Sequence, residues 1–99
     1  MSHDVTDPAQ MRPDIKAALD RWADGSHPFV GDFLRAVLSN NLMEAVGRAD
    51  EDNIRVLPAI CAYVYMELPG HCHGSPERVS EWQAECLATI EAKRMGVSA

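Results

Sequence analysis

From Val56 to Met66 every residue but Pro58 is apolar, and no other segment constrains the fold as tightly. A run this long must be buried, yet it is too short to cross a bilayer. Ile54, Leu57, Cys61, Val64, Tyr65 and Leu68 recur at helical spacing around it. The segment is therefore expected to be a central apolar helix over residues 51–68. Asp50 would cap it, Glu51 and Asp52 would occupy its first turn, and Pro69-Gly70 would end it. Pro58 must kink that helix or mark a break after a first turn, and the continuity of the apolar stripe favours a kink.

The flanking segments follow the same period. Pro13 to Asp24 carries Ile15, Ala18, Leu19 and Trp22 on one face and stops at Gly25. Pro28 is expected to open a second helix with a broad apolar face of Phe29, Val30, Phe33, Leu34, Val37 and Leu38. Ser39-Asn40-Asn41 interrupts it, asparagine being suited both to the left-handed conformation and to a helix start. A short helix from Leu42 to about Ala49 would turn Leu42, Ala45 and Val46 inward, with Asn41 and Glu44 forming a cap. Ser75-Pro76-Glu77 opens a last helix with Val79, Trp82, Cys86, Leu87 and Ile90 as its stripe, closed by Gly96. No segment alternates as a strand would. The expectation is an all-α single domain of four to five helices over residues 11–96, preceded by a flexible arm over 1–10.

Composition narrows function by exclusion. With 46% hydrophobic and 24% charged residues, the 99-residue chain can fold around one core without disulfides or metals. Nine basic against 15 acidic residues give a net charge of −6, and the bases are scattered, so direct nucleic-acid binding and binding to an anionic membrane are not expected. Three cysteines, an odd number, fit a reducing cytoplasm better than a disulfide scaffold, and Cys61 and Cys86 read as small core residues. No basic and apolar leader opens the chain, so no signal peptide is expected. Catalytic fingerprints are missing, including G-x-S-x-G, H-E-x-x-H and phosphate- or dinucleotide-binding glycine loops. The expectation is a protein that is not an enzyme and uses no cofactor.

Several residues remain as candidates. His71-Cys72-His73 offers zinc or thiol chemistry, but lacks the spacing of a tetrahedral site, since adjacent side chains point apart. Asp50-Glu51-Asp52-Asn53 fails as a calcium loop, because Arg55 and Cys61 stand where glycine and glutamate are needed. The helices flanking Asn40-Asn41 make a poor helix-turn-helix, with Arg48 the only base on the second. Glu77, Glu81 and Glu85 fall on one face of the last helix, as a solvated surface or as an acidic ridge for a basic partner.

The stretches GDFLRAVLSNNLMEAVGRADEDN (residues 31–53) and GSPERVSEW (residues 74–82) resemble a family of small helical proteins found often in phage, prophage and other mobile-element genomes. The likeness spans about half the chain. The family pattern has aspartate at Asn41 and tryptophan at His73. No activity comes with the resemblance. It implies a regulator or inhibitor of a host protein, with Arg48 as the first candidate among the shared polar positions. The main expectation is thus a cytoplasmic interaction protein that binds a protein partner through Arg48 or the Glu77, Glu81 and Glu85 ridge. The alternatives are a homo-oligomer that binds a small anion near Arg48 and the histidine loop, and a zinc or thiol protein using His71, Cys72 and His73.

Overall fold

The computed structural model describes residues 7–96. Among these it contains no strand and six α-helices: α1 (Pro13–Asp24), α2 (Asp32–Leu38), α3 (Leu42–Arg48), α4 (Glu51–Arg55), α5 (Leu57–Glu67) and α6 (Pro76–Arg94). The all-α single domain stands, with one helix more than the upper expectation. Of the stretch read as a flexible arm, residues 1–6 lie outside the described residues. Pro8–Gln10 form a 3-10 turn that lies against α5.

The extra helix comes from a break, not a kink, in the central segment. Val56 stands between α4 and α5 with φ −112° and ψ 16°. Pro58 is thereby placed in the first turn of α5, where its missing N–H has no intrahelical acceptor to lose. The break also resets the helical phase. Leu57, Ile60 and Val64 face the core, and Leu68 joins them, but Ile54, Cys61 and Tyr65 are exposed and Asn53 is buried in place of Ile54. Tyr63, on the flank of α5, donates its hydroxyl proton to the Asp20 carboxylate of α1.

The second helix also starts later than Pro28. Gly31 precedes its first residue, Asp32. Pro28 is instead fully buried in an irregular segment, and its carbonyl accepts a hydrogen bond from Gln83 Nε2 at 2.8 Å. Phe29, expected on the core face, is exposed and packs edge-on against His27.

Side-chain caps fix the other helix starts. Asn41 accepts from the Glu44 N–H, Asp50 from Asn53 and Ser75 from Arg78, each satisfying a donor with no partner inside its helix. Gly25, at φ 79°, ends α1 and returns its N–H to the Arg21 and Trp22 carbonyls. Asn40 takes the left-handed conformation at φ 62° between α2 and α3.

The core joins Leu19 and Trp22 of α1 to Leu34 and Leu38 of α2, Ile60 and Val64 of α5, and Val79 of α6. Two indoles tie it to the backbone. Trp22 Nε1 donates to the Cys72 carbonyl at 2.9 Å, and Trp82 Nε1 donates to the Trp22 carbonyl at 2.7 Å. These bonds link α1, the 3-10 turn Gly70–Cys72 and α6. A third link, from the Gly74 N–H to the Leu38 carbonyl at 2.7 Å, holds the loop before α6 against the end of α2.

Candidate functional site

Three surfaces contain the residues singled out by the sequence, and each has its own chemistry. The first is α3. Of its seven residues only Ala45 is buried. Leu42 and Val46, expected to face inward, are 62% and 46% exposed, and Met43 is 83% exposed. The helix is too short and too peripheral to turn a full apolar stripe inward. It rests on α2 through Ala45, and the apolar residues on either side of that line remain in solvent.

Arg48 closes the same helix, and it is not a lone base. Its Nε donates to Glu44 at 2.7 Å, and its Nη1 lies 3.4 Å from the Asp32 carboxylate at the start of α2. These acids hold the guanidinium above its ordinary pKa, the Glu44 hydrogen bond contributing most. Two carboxylates already compensate its charge, so Arg48 is poorly placed to receive a ligand anion. Its geometry is that of a tether between α2 and α3. The pairs are exposed and screened by solvent, so each contributes little to stability.

The second surface is the outer face of α6. Glu77, Glu81 and Glu85 are all exposed. None of them forms an ion pair among the described residues. Glu81 and Glu85 border an open groove with His71 and Arg78, and Glu77 stands outside it. The structure therefore places Arg48 in a different depression from Glu81 and Glu85.

The third surface is the histidine loop, which the fold divides among separate environments. His71 is exposed and rests against Trp82, with ring centroids 4.5 Å apart. Cys72 is fully buried in the core. His73 is half-buried, and its Nε2 is sealed from solvent with no hydrogen-bond partner among the described residues. Among the described residues no three His, Cys, Asp or Glu side chains converge as a metal would require. The exposed thiol is Cys61, read from the sequence as a core residue, whereas Cys86 is buried as expected.

Burial pushes the Cys72 thiol from 9.0 up to about 11, so it is a poor nucleophile near neutral pH. The folded protein keeps this thiol protonated where the unfolded chain would ionise it. The resulting stabilisation is complete below about pH 9 and is lost as pH rises towards about 11, a change of roughly 2–3 kcal/mol. Urea unfolding followed across that window is expected to show this decline. The Cys72→Ala variant should show a shallower one, and an unchanged slope in that variant would assign the decline to other groups.

Sequence reasoning missed a cavity of about 470 Å³ on the far side of the same loop, where α2, α5 and α6 meet. Its lining includes Val37 and Leu38 from α2, Cys61 and Val64 from α5, and His73 and Arg78. No helix membrane-spanning in length and apolarity occurs among the described residues. In comparisons with known proteins, the chain matches no family model, no curated sequence and no solved structure.

Proposed function

We propose that this chain is a small non-enzymatic protein of the cytoplasm that acts by binding another protein, as a regulator or inhibitor of a host process encoded by a mobile element. The observation that supports this reading is the outward apolar display of α3. Leu42, Met43 and Val46 stand in water on a helix whose only buried side chain is Ala45. Grouped exposed apolar side chains on a strongly charged small domain favour a docking surface, because their burial against a partner is the largest gain open to them. The unpaired Glu77, Glu81 and Glu85 on α6 favour a partner with basic character, and they would act more on the rate of encounter than on final affinity.

Two variants test the reading and separate its parts. Leu42→Ser with Val46→Ser removes apolar area from α3 without touching the core. Glu77→Lys with Glu81→Lys and Glu85→Lys reverses the ridge. Each would be compared with the unaltered protein for the chains it retains when isolated from its native cell. The α3 variant is expected to lose at least about tenfold of the retained partner, the usual size of an interface hot-spot effect. The ridge variant is expected to lose less, and chiefly at low salt. A partner retained equally by both folded variants would overturn the proposal.

A further inference from the structure

The cavity between α2, α5 and α6 combines an apolar lining with a positioned cation that has no counter-ion among the described residues. Arg78 reaches its rim from the first turn of α6. The guanidinium is held in place on two sides. Its Nη1 donates to the Gly70 carbonyl at 3.4 Å, and it passes over Gly74, where a Cβ would stand 3.1 Å from the same nitrogen. Gly74 also has φ 121°, so glycine is needed there both for backbone conformation and for the passage of Arg78. Among the described residues Arg78 pairs with no carboxylate, although Glu81 and Glu85 share the neighbouring groove. The cavity lining itself contains no acid.

Beside Arg78 stands His73, with its unsatisfied Nε2. A buried polar atom without a partner is unfavourable, so a turn of the ring into the cavity it already lines is favoured once an oxygen is there to meet it. Val37, the ring of Tyr65 and the small accessible part of Val64 offer the rest of a ligand an apolar surface. The volume is that of a small-molecule site, and its composition, mostly apolar with Asn40, His73 and Arg78 as polar groups, is that of a site for an amphipathic ligand.

We infer that this cavity binds a small monocarboxylate with an apolar body, its carboxylate on Arg78 and His73 and its carbon chain over Val37, Val64 and Tyr65. The site is independent of the docking surface proposed for α3, and either can fail without the other. Guanidinium matches carboxylate geometry with two parallel donors, which an ammonium cannot do.

Cys61 provides the readout, because it lines the cavity and is exposed whereas Cys72 and Cys86 are buried. The rate of its alkylation by iodoacetamide would be followed by mass spectrometry in the presence of octanoate, octanol or octylammonium. Octanoate is expected to protect Cys61 with a dissociation constant in the millimolar range or below. Octanol should protect at least about tenfold more weakly and octylammonium not at all. Arg78→Gln should weaken octanoate protection about tenfold or more, and Arg78→Lys should restore part of it, with helical content unchanged in both. Equal protection by octanoate and octanol, octanoate protection untouched in Arg78→Gln, or no protection up to about 10 mM would each overturn the inference.

Discussion

Replacing Trp22 with alanine is expected to cost about 3–5 kcal/mol, at the top of the range for truncating a core side chain to alanine. The indole is fully buried and forms the centre of the core, so its removal leaves a cavity that neighbouring helices can only partly fill. It also strands the Cys72 carbonyl, which accepts the indole proton at 2.9 Å. The Trp22→Phe variant separates the two effects. It retains most of the apolar volume but cannot donate, and a loss of about 1–3 kcal/mol is expected from the unsatisfied carbonyl and the smaller ring. Chemical denaturation of the three proteins measures both steps. A Trp22→Phe loss as large as that of Trp22→Ala would show that the hydrogen bond, and not packing, dominates the site.

The second large effect contrasts neighbours in sequence. Ile60→Ala is expected to cost about 2–5 kcal/mol, since the side chain is completely buried in the core. Cys61→Ala, one position along, should fall within about 0.5 kcal/mol of the unaltered protein, because Cys61 is exposed. Ile54→Ser belongs with the second case and Leu57→Ala with the first. If Cys61→Ala or Ile54→Ser proved as costly as Ile60→Ala, the phase change at Val56 would be wrong and a continuous helix would return.

That phase change marks where sequence reading gave out. Helix class, the limits of α1 and α6, and the caps at Asn41, Asp50 and Ser75 were legible, because each depends on residues a few positions apart. The left-handed Asn40 was legible for the same reason. The break was not. Pro58 fits a kinked helix and a fresh first turn equally well by local rules, and tertiary packing selects between them. Leu42 and Val46 failed similarly, since helical spacing says which residues share a face but not whether a neighbour exists to cover it. Among the site candidates, the acidic face of Glu77, Glu81 and Glu85 could be read from its spacing. The neutralisation of Arg48 by Asp32, 16 residues earlier, could not. Nor could the cavity, which takes its walls from three helices and depends on the passage of Arg78 over Gly74.

The two indole hydrogen bonds also set an order of events during synthesis. Trp22 waits 50 residues for the carbonyl of Cys72, and its own carbonyl waits 60 for the indole of Trp82. At ribosomal rates of about 5–20 residues per second, that is an interval of roughly 3–12 s. During it the apolar stripe of α1 can meet α2 and α5 as they emerge, but the Trp22 indole and carbonyl lack their native partners. The Trp22 indole therefore stays without its acceptor until Cys72 is made, and the Trp22 carbonyl without its donor until α6 has begun. Native assembly is consequently a late, cooperative event, not a stepwise accretion from the N-terminus.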